Sequence, residues 1–384
     1  MTTKRSGEQF SFGAWCGGIA RSLAQPLLAV VFGLLVGAVV ILLTGESVVE
    51  VYAAMFRGGF GTTFYLLSTL TRATPIIFAA LGAAMAWRAA YYNIGGEGQM
   101  VVGAFCATVS ALYLPISGFL GMLIALVIGT VCGGLYGLLA AWLNNKFNVV
   151  LVICTLMFNY VANYIVYYFV SYPLKDNTGD GLVAKTLTID KSMWISRLGW
   201  VKGSPFHWGF FIAIAVTIFI IFLTKKTVFG YESRMSGLNR SFAEYGGVKR
   251  SRIMYLTMFL SGALCGMGGA VEALGLKHLY MHDMIVSPQY AWTGLMAALI
   301  ADLNPVGIVV CSIFLAGIQT GGAALERTTN VPLQLTMVIQ SVITLFVSAK
   351  MLARYLKNRK SKRATTPEKP AVPANTQGGV RNEL

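Results

Sequence analysis

The chain alternates long apolar runs with short polar connections, and this alternation predicts a bundle of membrane-spanning helices. Runs of about 17–25 apolar residues are long enough to cross the hydrocarbon core of a bilayer. The sequence contains ten such candidates, at 22–43, 66–88, 95–114, 118–143, 149–170, 207–224, 254–275, 289–302, 305–325 and 333–353. The eighth is short, so we expect a broken helix or half-span that turns into the ninth at 302–307. The predicted fold class is an all-α polytopic membrane protein.

The basic residues give the predicted bundle an orientation. Cytoplasmic loops of membrane proteins are enriched in Lys and Arg. Here basic residues concentrate in the connection 225–253 and in the tail, whereas the connection 171–206 also carries three Asp. Ten crossings with both termini in the cytoplasm satisfy this bias. The predicted domains are a cytoplasmic segment 1–21, a transmembrane domain 22–353 and a basic cytoplasmic tail 354–384 that is expected to be disordered. Within the transmembrane domain, residues 171–206 are the predicted outer loop and residues 225–253 the predicted cytoplasmic loop.

Composition supports the membrane class and narrows the chemistry. Hydrophobic residues make up 56 % and charged residues 12 % of the 384 positions, more apolar surface than a soluble core of this length buries. A net charge of +15 would suit nucleic acid, but the basic residues lie between apolar runs and in the tail, so we expect contact with membrane lipid and no nucleic acid. The six cysteines form no CxxC pair, and no disulfide framework or metal site is expected.

Two further patterns describe the bundle without assigning a function. Glycines recur at four-residue spacing, which lets helix backbones approach closely in lipid; they are Gly33 and Gly37, then Gly129, Gly133 and Gly137, then Gly262 and Gly266. The blocks 66–143 and 254–325 are loosely alike, so we also expect an internal repeat, as in many transporters. The first apolar run is longer than the apolar core of a signal peptide, and we expect it to remain uncleaved.

The stretch "YYNIGGEGQM", residues 91–100, places polar and flexible residues between two predicted spans. Its three glycines lower helix propensity. Non-helical backbone at membrane depth is tolerated only where it is buried in protein or lines a water-filled cavity, and a carboxylate there indicates a functional site. Asn93, Glu97 and Gln99 are therefore candidate site residues. The alternative is a polar turn at the membrane surface in which Glu97 offsets Arg88, and the residues alone leave both interpretations open.

The fifth predicted span, "TLMFNYVANYIVYYF", carries a polar face. Thr155, Asn159 and Asn163 are four residues apart and share one side of a helix, and tyrosines including Tyr160 cluster beside them. Such a face can hydrogen-bond and stack against a polar aromatic solute. The alternative is hydrogen bonding between helices together with a belt of interfacial tyrosines.

The connection "MSGLNRSFAEYGGVKRSR", residues 235–252, predicts a short helix. Asn239 is a favourable N-cap, residues 240–245 form fewer than two turns, and Gly246–Gly247 can end the helix. A helix this short is marginal by itself, so we expect it to contact another protein. The alternative is a solvated charged loop.

Other polar residues give weaker signals. His278 and His282 are four apart beside Asp283, which resembles metal-ligand spacing, but no further ligand is evident and we expect an ordinary loop pair. Glu272 and Asp302 are each expected to pair locally or to touch a transport pathway. No phosphate-binding loop of the GxxxxGK[ST] type occurs, so the chain is not expected to bind ATP itself. No nucleophile with a partner base can be proposed, and we expect no enzymatic activity.

These motifs resemble the permease subunits of bacterial ATP-binding-cassette (ABC) importers, in the branch for branched-chain amino acids, ribose-type sugars and nucleosides. The resemblance is closest to the nucleoside and simple-sugar group. That group carries "NIG-[AG]-EGQ", matched by Asn93 to Gln99, and "TxxxNY", matched by Thr155, Asn159 and Tyr160. Its cytoplasmic element "G-x-N-x-x-A-A-x-Y-x-G-[IV]" is matched by Gly237, Asn239, Ala243, Tyr245, Gly247 and Val248.

Two later elements of the group also match, at Ser261 to Gly275 and at the turn Pro305 to Gly307. The chain departs from the pattern at Arg240, where proline is usual, and at Phe242, where alanine is usual. Ala301 and Asp302 occupy a usually glycine-rich position.

The resemblance implies a role for each site. Gly237, Asn239, Ala243, Tyr245 and Gly247 would belong to a coupling helix that docks on a separate ATPase subunit, which would hold ATP and Mg; this chain would bind no cofactor. The seven polar residues of the two membrane motifs would hold or line the substrate pathway; they are Asn93, Glu97, Gln99, Thr155, Asn159, Tyr160 and Asn163.

The resemblance also implies partners, a solute and a location. A second, related permease would complete a heterodimer, and an extracytoplasmic binding protein or lipoprotein would deliver a nucleoside or simple sugar at the bacterial plasma membrane. The alternatives are an ABC permease for branched-chain amino acids and an ion-coupled secondary transporter with an ion site at Glu97, Glu272 or Asp302.

Overall fold

In a computed structural model, the described part of the chain is a helical bundle. The described residues are 34–178 except 40, 44 and 46, then 183–328, and residues 338, 341 and 342. The helices are α1 (Val48–Phe60), α2 (Thr63–Arg88), α3 (Gly96–Tyr113), α4 (Gly118–Phe147), α5 (Leu151–Ser171), α6 (Gly209–Lys226), α7 (Val228–Leu238), α8 (Arg240–Tyr245), α9 (Arg250–Glu272), α10 (Tyr290–Ile300) and α11 (Pro305–Thr328). A short apolar helix, Leu34–Leu43, precedes α1. A 3₁₀ turn forms at Lys191–Met193 and a π turn at Ala273–Lys277, and no strand forms among these residues.

Six of these helices are long and apolar enough to cross a membrane, namely α2, α4, α5, α6, α9 with its π turn, and α11. They confirm the predicted all-α membrane class. The count of ten spans, the cytoplasmic termini and the internal repeat stay predictions. The segment 1–21, the start of the first predicted span, almost all of the last span 333–353 and the tail 354–384 lie outside the described residues.

Helix α10 agrees with the predicted half-span. Its 11 residues are about 16 Å long, roughly half the thickness of a hydrocarbon core. Asp302 and Leu303 follow it with φ of 49° and 60°, and this turn leads directly into α11. The short eighth run therefore forms a short helix that turns directly into the ninth, as its length indicated.

Helix α1 was not predicted from the hydropathy pattern. It packs across α11 through glycines: a Cβ on Gly59 would lie 2.5 Å from the carbonyl oxygen of Gly317, and a Cβ on Gly321 would meet the carbonyl of Met55. Thr69 of α2 also donates a hydrogen bond to the Gly59 carbonyl at 2.8 Å. Close backbone contact and this buried hydrogen bond hold α1 against two longer helices.

The centre of the bundle is formed by α3, α4 and α9, which meet through small residues. A Cβ on Gly129 would lie 2.6 Å from the carbonyl oxygen of Gly103, and one on Gly133 would lie 2.6 Å from the Cα of Gly266. Gly262 meets the Gly133 carbonyl in the same way. The four-residue glycine spacing at Gly129, Gly133 and Gly137 and at Gly262 and Gly266 thus marks close helix packing, as predicted. The predicted contact of Gly33 and Gly37 stays a prediction, and Gly33 lies outside the described residues.

The bundle has two distinct ends. We call the end at which residues 227–249 connect α6 to α9 the basic end, and the opposite end, which holds residues 172–208, the loop end. At the loop end the long connection is held to the chain after α9, because Thr186 N donates to the Tyr280 carbonyl at 2.8 Å and Ile195 N donates to the Leu274 carbonyl at 3.0 Å.

Candidate functional site

The chain between α2 and α3 turns back into the bundle. Ala90 has a φ of 60°, and the next residues are not helical until α3 begins at Gly96. Asn93 reaches Ser261 of α9, which itself donates to the Gly82 carbonyl of α2 at 2.6 Å. Gly82 lies six residues before the end of α2, or about 9 Å along its axis. Helix α3 therefore starts inside the bundle, and we call residues 89–95 the break.

A buried amide pair holds the break. Asn93 Nδ2 donates to Gln99 Oε1 at 3.0 Å and to Ser261 Oγ at 2.8 Å, and Asn93 Oδ1 accepts from Gly95 N at 2.9 Å. Both amide side chains are 2 % exposed. Buried polar groups without partners cost free energy, so this closed set of hydrogen bonds fixes one arrangement of the break.

Helix α5 supplies the remaining partners of the break. Thr155 Oγ1 accepts from Ile94 N at 3.3 Å, while Asn159 accepts from Gly98 N at 2.8 Å and donates to the Ile94 carbonyl at 3.1 Å. The first N–H groups of a helix have no partner within it, and a side chain of α5 fills this role for α3. Thr155 and Asn159, two residues of the predicted polar face, therefore both hold the break and the start of α3.

The other two candidate residues of α5 are not hydrogen-bonded to the break. Asn163 is half-buried and makes no side-chain hydrogen bond with any described residue. Tyr160 is 57 % exposed and lies on the outer face of α5, with Tyr164, Tyr167 and Tyr168. The structure thus separates the tyrosines from the amide and hydroxyl groups that the sequence pattern grouped with them.

Gly95 at the end of the break and Gly98 in the first turn of α3 serve close packing and not an unusual backbone conformation. A Cβ on Gly95 would lie 2.9 Å from the Thr155 carbonyl oxygen, and one on Gly98 would lie 2.9 Å from the Phe158 carbonyl oxygen. Neither has a positive φ; the left-handed residue is Ala90. Their small size lets the start of α3 touch the backbone of α5.

Glu97 is the one charged member of the predicted pathway set. It is half-buried in the first turn of α3, and its Oε2 accepts a hydrogen bond from Trp292 Nε1 of α10 at 3.0 Å. An acidic side chain is favourable near a helix N-terminus. Arg88 does not pair with it, because Arg88 Nη2 donates to the Leu303 carbonyl at 2.6 Å. The sequence alone gave no sign that Trp292 belongs to this site.

The two histidines that are four apart in sequence do not share a site. His278 Nδ1 contacts the Leu274 carbonyl at 3.1 Å, its Nε2 lies 3.3 Å from Arg197, and Trp194 stacks on the ring at 3.6 Å. His282 lies 3.4 Å from Asp283. Among the described residues no group of three or more His, Cys, Asp or Glu could hold a metal ion.

His278 and the nearby His207 are strongly perturbed outside the spanning helices. Burial, followed by the charge of Arg197, lowers the pKa of His278 to about 4. Burial is the main cause that lowers the pKa of His207 to about 4, and charge interactions with His278 and Arg197 also lower it. Both rings are therefore neutral at pH 7, and Arg197 can donate to His278.

At the basic end, the predicted short helix forms with the predicted bounds. Asn239 accepts from Phe242 N at 3.1 Å as its N-cap, and Gly247 has a φ of 84° after its end. Ala243 is 4 % exposed and faces the chain itself, while Tyr245 is 93 % exposed. Gly237 also faces inward, since a Cβ there would collide with the Arg88 carbonyl.

The remaining acids are placed differently from each other. Glu272 is 1 % exposed and accepts a hydrogen bond from the Tyr290 hydroxyl at 3.0 Å, so it pairs locally. Asp302 lines a cavity of about 370 Å³ at the basic end together with Arg88 and Arg234.

Together, six helices long and apolar enough to cross a membrane define a polytopic membrane protein. The chain belongs to the family described as branched-chain amino acid transport system, permease component, which matches residues 65–348.

Three of the relatives that it matches over most of its length are permeases of ABC transporters. The guanosine ABC transporter permease NupP of Bacillus subtilis is 29 % identical over 89 % of this chain and 97 % of its own length. The nucleoside ABC transporter permease NupB of Lactococcus lactis is 29 % identical over 86 % and 92 %, and the glucose ABC transporter permease TsgB13 of Haloferax volcanii is 27 % identical over 86 % and 88 %. No solved structure matches the chain significantly.

The chain is therefore the permease subunit of an ABC importer and a multi-pass protein of the inner membrane. It is a transport subunit and not an enzyme, because such systems place the ATPase on a separate subunit. A substrate-binding partner is also general to them.

Proposed function

We propose that this permease carries a nucleoside or a simple sugar. The relatives named for guanosine, nucleosides and glucose support this solute class, since each covers more than four-fifths of the chain. The alternative of branched-chain amino acids rests on the family description alone.

The partner permease is proposed to be a related but different chain. Bacillus subtilis has a second similar guanosine permease, NupQ, and Lactococcus lactis has a second similar nucleoside permease, NupC. Two related permeases in each of these organisms support a heterodimer in which the present chain contributes one half.

The hydrogen bond between Glu97 and Trp292 is the observation that supports the proposed pathway. The carboxylate is half-buried at the start of α3, and Trp292 is 36 % exposed, so both reach the outer surface of the described bundle. A carboxylate facing lipid is costly. We therefore place the second permease or a water-filled pathway against this face, where Glu97 can accept hydrogen bonds from solute hydroxyl or amino groups.

The other predicted pathway residues take a positioning role in this proposal. Asn93, Gln99, Thr155 and Asn159 are buried and hydrogen-bonded to the break, so they set the place of Glu97 and do not contact solute. Tyr160 lies on the exposed face of α5 and is available for stacking. Asn163 stays a predicted pathway residue, because its side chain makes no hydrogen bond with a described residue that would give it a positioning role.

The coupling role is proposed for α8, at the cytoplasmic side of a ten-span chain with both termini inside. Phe242 is 60 % exposed, so it and Tyr245 offer an apolar surface to the ATPase, while Gly237 and Ala243 seat the helix on the chain. Asn239 and Gly247 define its two ends. ATP and Mg would bind the ATPase, and this chain would bind no cofactor.

Uptake in reconstituted vesicles tests the proposal. The permease pair, ATPase and binding protein are reconstituted together, and uptake of labelled guanosine, glucose and leucine is compared with and without ATP. ATP-dependent uptake of guanosine or glucose is expected. ATP-dependent uptake of leucine alone would contradict the solute class, and uptake that needs an ion gradient but no ATP would contradict the coupling.

A further inference from the structure

A cavity of about 310 Å³ at the loop end is lined by cations from three separate elements. Arg72 lies in α2, Lys277 ends the π turn after α9, and Arg327 lies in the last turn of α11. No acidic residue is found among the described residues that line this cavity. The neutral polar residues of the lining include Tyr65, Tyr290 and Thr320.

Among the described residues, these three cations have no ion-pair partner. Within the described residues the ion pairs are Lys185–Asp176 and His282–Asp283, and neither involves the cavity. Arg72 is half-buried, nine residues into α2 and about 14 Å along its axis, and its guanidinium makes no hydrogen bond to a described residue. An arginine carries five N–H donors, and donors withdrawn from water without acceptors are unfavourable.

The buried acid Glu272 does not neutralise the cavity. Glu272 is buried beside it and accepts from the hydroxyl of Tyr290, which also lines the cavity. The charges of Arg72 and Lys277 act on Glu272, yet neither lies within ion-pair distance of it. Three cations and no carboxylate among the described lining residues leave the cavity positive.

We propose that this cavity binds a phosphate group, carried either by an anionic phospholipid or by a phosphorylated small solute. Guanidinium groups bind phosphate oxygens in a bidentate way, and lysine adds a point charge. Three cations match a phosphate better than the single charge of a carboxylate. The volume is at the lower end of small-ligand sites, roughly 300–1,000 Å³. The proposal is independent of the transported solute.

Binding of two probes tests the proposal on the complete, nucleotide-free transporter in nanodiscs. The soluble probe is labelled glycerol 3-phosphate, added to discs of phosphatidylcholine. The membrane probe is phosphatidylglycerol, whose retention by the transporter is measured after exchange into phosphatidylcholine. The variants are Arg72→Gln, Arg72→Lys and Lys277→Gln; Lys202→Gln, a loop-end lysine outside the cavity lining, is the matched control.

Arg72→Gln is expected to weaken one of the two probes at least tenfold, Lys277→Gln to weaken it less, and Lys202→Gln to leave it unchanged. Loss of the soluble probe identifies a solute, and loss of the membrane probe alone identifies a lipid. If Arg72→Gln does not fold, the probe binding of Lys277→Gln decides whether the proposal holds. Equal binding by wild type and all variants overturns the proposal. The proposal is also overturned if no phosphate probe binds and the variants have a weaker affinity than wild type for the substrate-binding protein. A carboxylate of that protein would then occupy the cavity.

Discussion

Arg240, the first residue of α8, donates a hydrogen bond from Nη2 to the carbonyl of Ala90 at 2.9 Å. Its guanidinium also lies over the ring of Tyr91, 5.2 Å from the centroid. The Tyr91 hydroxyl donates to the Arg250 carbonyl at 3.4 Å on the other flank of α8. The proposed coupling helix is thus attached to the first residues of the break, and a displacement of α8 can move the segment that positions Glu97.

Arg240→Ala is expected to reduce uptake per ATP hydrolysed, because it removes this attachment while the exposed residues of α8 remain. The hydrogen bond and the cation–π contact together contribute about 1–2 kcal/mol, or roughly a 5- to 30-fold effect. Uptake and ATP hydrolysis are measured in the same vesicles. Arg240→Lys should restore part of the ratio of uptake to ATP hydrolysis. Arg252→Ala, an exposed change in the first turn of α9, should leave this ratio unaltered. Parallel loss of both activities would show that Arg240 serves only ATPase docking.

Replacement of Glu97 separates its charge from its hydrogen bond. Glu97→Gln keeps an acceptor for Trp292 Nε1 but removes the charge, whereas Glu97→Ala removes both. Hydrogen bonds to charged groups contribute about 1.5–3 kcal/mol, so we expect Glu97→Ala to lower uptake at least about tenfold. Solute concentration dependence distinguishes weaker binding from slower turnover. Trp292→Phe is the companion variant, and normal uptake by all three variants would remove this contact from the pathway.

Asn159→Ala is expected to destabilise the subunit. It leaves Gly98 N and the Ile94 carbonyl without their side-chain partner, at a cost of about 1–3 kcal/mol per buried group. Asn163→Ala is the matched control one turn later on α5, and we expect little change there. Thermal unfolding of the purified complex measures both. Equal shifts for the two variants would contradict the role of Asn159 in holding the break.

Gly129→Ala is expected to disturb the packing of α3, α4 and α9. The added Cβ would lie 2.6 Å from the Gly103 carbonyl oxygen and 2.9 Å from the Cβ atoms of Ala107 and Ala270. Overpacking of this kind costs about 1–3 kcal/mol and sometimes more. Gly246→Ala, whose nearest neighbour would be 3.3 Å away, provides the control. The readout is the amount of folded subunit in the membrane, which should fall for Gly129→Ala only.

The loop end is expected to lose stability in acid. His207 and His278 have pKa values lowered to about 4, against about 6.5 in an unfolded chain, so the folded state binds fewer protons. Their contribution is complete above pH 6.5 and is lost as the pH falls towards 4. Thermal unfolding between pH 7.5 and 4.5 should show this slope, and His278→Gln should flatten it. His282→Gln is the control, and an unchanged slope in His278→Gln would contradict the assignment.

Elements set by local chemistry were predicted well from the sequence. The bounds of α8 followed from Asn239 as an N-cap and the glycines after Tyr245, all within a few residues of one another. The half-length of α10 followed from the length of its apolar run. Helix α1 was missed because thirteen residues with an acid and an arginine fall below the length and apolarity of a span, and its position depends on contact with α11.

The candidate site was predicted less completely because its contacts join distant parts of the chain. Asn93 and Ser261 are 168 residues apart, and Glu97 and Trp292 are 195 apart. Helical spacing placed Thr155 and Asn159 on one face, as found, but placed Asn163 and Tyr160 with them without showing which neighbour each would meet.

The sequence by itself determined that this protein is a bundle of apolar helices with close glycine contacts and a capped helix at its basic end. These features depend on run length, residue size and local hydrogen bonding. Tertiary structure alone decided that the break enters the bundle, that Asn93 is closed off by α9 and that Glu97 meets Trp292. It also decided that three cations share a cavity without an ion-pair partner among the described residues. A buried polar group takes its partner from whichever helix packs beside it, and local sequence does not encode that neighbour.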